Sequence, residues 1–294
     1  MSENRIPESE LVLNDDGSVY HLHLKAEHVA SKVILVGDPG RVKQVAAFFD
    51  TIEFTTSNRE FHTVTGYFNS KKFTVVSTGI GTDNIDIVIN ELDAAVNINL
   101  ESRIPNPKRR QLSIVRIGTS GGLDPDLRAG SVVVSQYGLG LDGIVYFYNF
   151  ENTDKELDIS NKLKNHLNWN KNLATPYLVA ADETLLELLA PGMARGITVT
   201  ATGFYGPQGR RLRLGLDNPR MHDEFQTFEY QGLRITNFEM ETSALYGLGR
   251  MLGHRCCTVC AVIANRVTKE YSKDYKIAVN QLIKTTLDRL VKLD

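Results

Sequence analysis

LSIVRIGTSGG, residues 112–122, opens as a run of apolar, largely β-branched residues and gives way to threonine, serine and glycines, with Arg116 set inside it. Such a run reads as a buried strand, and the small residues after it as the turn at the strand's carboxyl end. SKVILVG (31–37), KFTVVSTG (72–79), SVVVSQ (131–136), RGITVTATG (195–203), LRITNFE (233–239) and CCTVCAVIAN (256–265) are further short β-rich runs. Between them Ile85, Val88, Ile89, Leu92 and Val96 form a helical stripe, and Val279, Leu282, Ile283 and Leu290 form another near the C-terminus. Strands alternating with one-sided helices predict an α/β fold in which helices cover a sheet. No internal repeat or low-complexity segment interrupts the pattern. The 294 residues suffice for one large domain with a substantial core, read here as residues 21–294 preceded by an N-terminal extension, residues 1–20.

Composition narrows the function classes. Hydrophobic residues at 42% and charged residues at 23% are ordinary for a globular chain, and a net charge of −2 argues against broad nucleic-acid binding. The one basic cluster, PNPKRRQ at 105–111, carries two prolines and reads as a solvated loop. The polar, acidic start and the lack of a long apolar run predict a cytoplasmic protein without a membrane span. Cys256, Cys257 and Cys260 contain a C-x-x-C, but with no second Cys or His pair nearby at zinc spacing they read as strand core.

In open α/β sheets ligands gather at the carboxyl ends of strands. After SKVILVG, Gly37, Asp38 and Gly40 form a turn and Arg41 begins a helical segment, a natural anion site. Arg116, embedded in an apolar strand, requires a buried anionic partner, and spacing leaves a structural acid and a ligand equally open. STGIGTDN (77–84) starts like a dinucleotide fingerprint but has Asn84 where its third glycine belongs. In NFEMETSAL (237–245), Glu239 and Glu241 straddle a strand-to-helix junction. One reading has one glutamate capping the helix and the other solvated; another has Glu241 accepting from a vicinal diol. GFYGPQGRR (203–211) reads first as a phosphate cradle, with a surface turn or a reader of a flat polar ligand as alternatives.

VGDPGRV, NREF (58–61), STGIG, VRIGTSGG, FYGPQGR, NFEMET and VIANR together resemble, in order and approximate spacing, the nucleoside phosphorylases. The resemblance covers roughly residues 20–293 and is strongest to the uridine branch, through FY-x-x-Q-G-R, E-M-E and NR. It implies a central mixed sheet, partly barrel-like, surrounded by helices. It implies a homo-oligomer, a dimer or a hexamer built of dimers, whose active sites are shared between subunits. The implied reaction is reversible phosphorolysis of uridine to uracil and ribose 1-phosphate, a pentosyl transfer in pyrimidine salvage, with phosphate as co-substrate and no cofactor.

The same resemblance assigns residues. Gly37, Arg41, Arg116 and Thr119 would hold phosphate, with Arg59 reaching across a subunit interface. Glu241, Met240 and Glu239 would hold ribose, and His21 would reach its 5'-hydroxyl from the adjacent subunit; alone, His21 and His23 read as strand-face histidines. Gln208 would meet the uracil N3–H and O2, Arg210 its O4, Phe204 would pack on the nucleoside, and Arg266 would support them. Catalysis would fall to Arg210, Gln208, Arg116 and Glu241, with Glu60 offered as a ligand for a potassium ion. Purine relatives place an aspartate near Ala264 and Asn265, where this chain has no acid. A purine nucleoside phosphorylase, a nucleosidase using water and a non-catalytic nucleoside-binding module are the alternatives. Thr82, Asp83 and Asn84 after STGIG, TATG before FYGPQGR, and an apparent insertion at 97–111 depart from the family pattern.

Overall fold

The apolar, β-branched runs become strands because side chains on both faces leave water there. A computed structural model describes residues 5–293. Its principal strands are β1 (Lys32–Val36), β2 (Thr51–Asn58), β3 (Phe61–Phe68), β4 (Lys71–Ser77), β5 (Ser113–Gly122), β6 (Val132–Gly140), β7 (Tyr177–Ala180), β8 (Ala194–Thr200), β9 (Leu233–Glu239) and β10 (Arg255–Asn265). The helices are α1 (Pro39–Ala46), α2 (Thr82–Asn97), α3 (Asp154–His166), α4 (Glu183–Leu189), α5 (Met221–Thr227), α6 (Thr242–Met251) and α7 (Tyr275–Leu290). All seven β-rich runs and both helical stripes are present. The helices expected to begin at Arg41 and after Glu241 are present as α1 and α6, and strands β2, β3 and β7 and helices α3, α4 and α5 are additional.

The sheet runs β9-β8-β6-β10-β5-β1-β4-β3-β2, with β7 beside β6. β1 lies parallel to both β4 and β5, and β5 parallel to β10. β10 runs antiparallel to β6, while β8 is parallel to β6 and β9. β9 then returns to β5, antiparallel, through Asn237↔Gly122 and Phe238↔Gly121. That pairing closes β5, β10, β6, β8 and β9 into a barrel, and β1 to β4 extend from its side as open sheet. The architecture is therefore one mixed, partly barrel-like sheet surrounded by helices, as the sequence leads one to expect. Helices α2 and α6 pack on one apolar cluster, and α1, α4 and α7 on a second. No helix among the described residues is long and apolar enough to cross a membrane.

Segment 97–111 folds back on itself, Ile98–Asn99 pairing antiparallel with Ile104–Pro105. It also grips the N-terminal segment: Ile6 N–H donates to the Arg103 carbonyl at 2.9 Å, and the Arg103 guanidinium donates to the Leu11 carbonyl. Leu11 and Val19 are buried. The basic cluster is not wholly solvated. Lys108 and Arg109 are exposed, but Arg110 donates to the carbonyls of Ala26 and Val29, because those carbonyls lie outside any sheet ladder and need a donor.

Candidate active site

The carboxyl ends of β1, β5, β9 and β10, with the loops after β4 and β8, surround a cavity of about 770 Å³. A cleft of about 790 Å³ between the N-terminal segment and the 98–106 hairpin is lined mostly by charged and amide side chains and holds none of the predicted site residues.

One end of the cavity is cationic. Asp38 accepts from Gly40 N–H at 2.8 Å and Pro39 opens α1, which sets Arg41 in the first helical turn beside Gly37. The Arg41 guanidinium makes one hydrogen bond among the described residues, a long one of 3.4 Å from Nη1 to the Ile117 carbonyl. Burial, and then the like charge of Arg116, pull its pKa down. Two guanidiniums brought together in a partly dry cavity favour a bound anion. Arg116 can lie across β5 because position 118 is glycine: a Cβ there would stand 2.1 Å from Arg116 Nη1. Thr119 and Ser120 continue the wall.

Arg116 has its counter-charges in the protein. Its Nη1 is 3.2 Å from Glu239 Oε2, and its Nη2 donates to Glu241 Oε2. Burial alone would lower its pKa, but Glu241 and Glu239 overcome that and raise it, so the guanidinium is always charged. Glu239 caps α6, accepting from the N–H groups of Glu241 (2.9 Å) and Thr242 (3.0 Å) and from Thr200 Oγ1 (2.7 Å). Glu241 accepts from Gly81 N–H at 2.8 Å and faces the cavity with Met240. Burial pushes its carboxyl upward, Arg116 pulls it back, and the charge of Glu239 pushes it up again. The junction thus corrects the capping reading in one half: one glutamate does cap, while the other is buried rather than solvated. Arg116 Nε and Ser120 Oγ, both on the cavity wall, are buried without partners among the described residues. Orphaned polar atoms around one cavity mark a place for a polar ligand.

The other end is the loop after β8. Gly209 has φ +65°, and a Cβ on it would meet His222 Nε2 at 2.6 Å, so only glycine fits this turn. His222 Nε2–H donates to the Gln208 carbonyl at 2.7 Å, and burial lowers its pKa, keeping it neutral. Gln208 is buried, and its Oε1 accepts from Arg210 Nη1 at 2.6 Å. The Arg210 guanidinium stacks 3.6 Å from the centre of the Phe204 ring. Burial, and then the charge of Arg266, pull Arg210 down to about 10. Arg266 donates to the Gln208 carbonyl at 3.4 Å. No phosphate cradle forms here, because the N–H groups of Gln208, Gly209 and Arg210 are spent on the carbonyls of Tyr205 and Gly206 within the loop.

Eleven of the predicted residues therefore share one cavity: Gly37, Arg41, Arg116, Thr119, Phe204, Gln208, Arg210, Glu239, Met240, Glu241 and Arg266. His21, Arg59 and Glu60 do not. His21 Nδ1 pairs with Glu91 of α2 at 2.6 Å, and its carbonyl accepts from Asn58 at 2.9 Å, next to the exposed Arg59. Glu60 Oε1 accepts from Asn84 Nδ2 at 3.3 Å. Sequence reading missed the apolar wall of Ile80, Phe238, Ile263 and Tyr271. The first three sit inside the quoted motifs and were legible as neighbours; Tyr271 lies in a stretch without one. The cysteines are free and buried in β10, as expected, with burial pushing Cys257 and Cys260 up to about 12.

A family model described as the phosphorylase superfamily matches residues 31–292, the span that builds this cavity. The chain belongs to that superfamily. It is 30% identical over 265 residues to a uridine phosphorylase of Thermococcus kodakarensis, covering 88% of this chain and 82% of the relative. A Trypanosoma brucei nucleoside phosphorylase, described as showing uridine phosphorylase activity, superposes with a TM-score of 0.88 at 28% identity, covering 96% of this chain and 99% of the other. A DeoD-type purine nucleoside phosphorylase of Listeria welshimeri is 23% identical over 92% of this chain and 99% of its own length. This superfamily member is thus an enzyme of the nucleoside phosphorylase kind, a pentosyltransferase.

Proposed function

We propose that the chain is a uridine phosphorylase. The observation that carries this reading is the chemistry of the base end, where Gln208, Arg210 and Arg266 line the cavity, whose carboxylates, Asp38, Glu239 and Glu241, belong to the end with Arg41 and Arg116. An amide supplies one donor and one acceptor, which matches an imide edge, and a guanidinium stabilises charge gathering on a carbonyl oxygen. At the strand end where purine relatives place an acid, Ala264 lines the cavity. The Asn265 amide is spent on the carbonyls of Asp124 (2.8 Å) and Leu127 (2.6 Å).

Phosphate, held by Arg41, Arg116 and Thr119, attacks the anomeric carbon as the C–N bond lengthens. Glu241 holds the ribose hydroxyls, and Arg210 with Gln208 takes up the negative charge on the departing uracil. No cofactor or covalent enzyme intermediate is needed. His21 and Arg59, neighbours on a surface outside the cavity, suit a role in a second subunit's site, and the active form is a homo-oligomer in the cytoplasm. The test is a phosphorolysis panel of uridine, deoxyuridine, thymidine, cytidine, inosine and adenosine, each with and without phosphate. Phosphate-dependent release of uracil is expected. Preferred cleavage of inosine would refute the base assignment, release without phosphate would make the protein a nucleosidase, and tight binding without release would make it a binding module.

A further inference from the structure

We infer that the ion pair between Arg116 and Glu241 is an internal latch that couples phosphate binding to nucleoside binding. The inference rests on the roles proposed above, in which Arg116 serves phosphate and Glu241 serves ribose. In the structure these two readers of different substrates are bonded to each other. Both are buried, and both line the same cavity.

Of the two carboxylates on Arg116, only one is exchangeable. Glu239 is fixed by the first N–H groups of α6 and by Thr200, so it stays as the permanent counter-ion. Glu241 Oε1 accepts from the Gly81 backbone N–H, and its Oε2, the atom a ribose hydroxyl would use, is occupied by Arg116. An incoming anion meets Arg41, whose guanidinium has a single long hydrogen bond among the described residues, and Arg116, whose Nε has none there. Turning Arg116 toward the anion replaces one charged partner by another and leaves Glu241 Oε2 open to hydroxyl donors.

Either substrate alone must break the contact between Arg116 and Glu241. When both bind, it is broken once. The two affinities are therefore linked, and linkage requires that each ligand strengthen the other by the same factor. A charge-assisted hydrogen bond in a dry site sets that factor at about tenfold or more.

The test is calorimetric titration of the full-length protein with uridine, without anion and then with saturating sulfate, which resembles phosphate but does not cleave the nucleoside. Uridine is expected to bind about tenfold or more tightly with sulfate, and sulfate to bind more tightly by the same factor with uridine. Equal uridine affinity in the two conditions would overturn the latch. Glu241→Gln removes the ion pair, so sulfate alone should bind more tightly than to wild type while the coupling factor falls to near one. Glu239→Gln removes the same unit charge from the same cluster but leaves the latch, so sulfate should tighten and coupling should persist. Coupling retained in Glu241→Gln would refute the assignment. Phosphorolysis on the same preparation judges the function separately: should the panel select inosine, inosine becomes the titrant, and the latch stands or falls on its own.

Discussion

Replacing Gly118 by alanine adds one methyl group at the point where β5 lets Arg116 cross it. The new Cβ would lie 2.1 Å from Arg116 Nη1, 3.0 Å from its guanidinium carbon and 3.0 Å from Cys260 Sγ. Non-bonded carbon contacts settle near 3.5–4.0 Å, so the guanidinium must shift by roughly 1 Å or more. Cys260 blocks one escape, and Glu239 and Glu241 hold the far side. The displaced group loses its aim at the phosphate position, a charge-assisted contact of about 1.5–3 kcal/mol. That corresponds to a fall of about tenfold to 150-fold in kcat/KM for phosphate. Overpacking should also cost about 1–3 kcal/mol of stability, leaving the protein folded at 25 °C. Initial rates of uracil release with phosphate varied at saturating uridine, beside a urea unfolding curve, separate the two effects. A well-folded Gly118→Ala variant with an unchanged kcat/KM for phosphate would show that Arg116 does not bind phosphate from this position.

Further outcomes follow from the same geometry. Arg210→Ala should lower kcat/KM for uridine about 100-fold or more with little change in unfolding midpoint, since the proposed role of this half-buried guanidinium is to meet the base; unchanged turnover would remove it from catalysis. Iodoacetamide at pH 8 should label none of the three cysteines in the native protein and all three in urea, as read by intact mass, because burial keeps the thiols protonated. The sign of the linkage is that a raised folded pKa favours folding below the ordinary thiol value of about 8.5. That contribution should be lost between there and about 12, as only the unfolded chain ionises. Rapid native labelling would contradict the burial.

What could be read in advance follows physical lines. Strands buried on both faces, such as β1 and β10, are unbroken apolar runs, and they were legible. TIEFTTSN in β2 is polar at the sheet's edge, and FHTVTGYF in β3 carries buried threonines, of which Thr65 donates its Oγ1 hydroxyl to the His28 carbonyl at 2.6 Å. Their apolar content was too thin to mark them. Arg116 was legible as a problem without a solution. Its acid partners lie more than 120 positions away in sequence, and only the β9 to β5 closure brings them together. His21 and Arg59 matched motifs, yet one chain alone gives them no ligand to face. The glycine-rich loop misled as a phosphate cradle because composition tells which residues a turn contains and not which atoms it presents.

The barrel closure at Phe238↔Gly121 divides the site by how firmly its parts are held. The strands of that hydrogen-bonded ring carry Arg116, Thr119 and Glu239 of the proposed phosphate and ribose readers, with Glu241 directly after β9, while Arg41 stands on α1 beside the ring. The base reader hangs outside it, on a loop whose backbone bonds are largely its own, from the N–H groups of Gln208 and Arg210 to the Tyr205 carbonyl. A lineage could therefore exchange one nucleobase for another by redrawing residues 203–210 and the end of β10, without disturbing the machinery that cleaves the glycosidic bond. A purine-named relative that aligns over 92% of this chain is the pattern such a division of labour would leave behind.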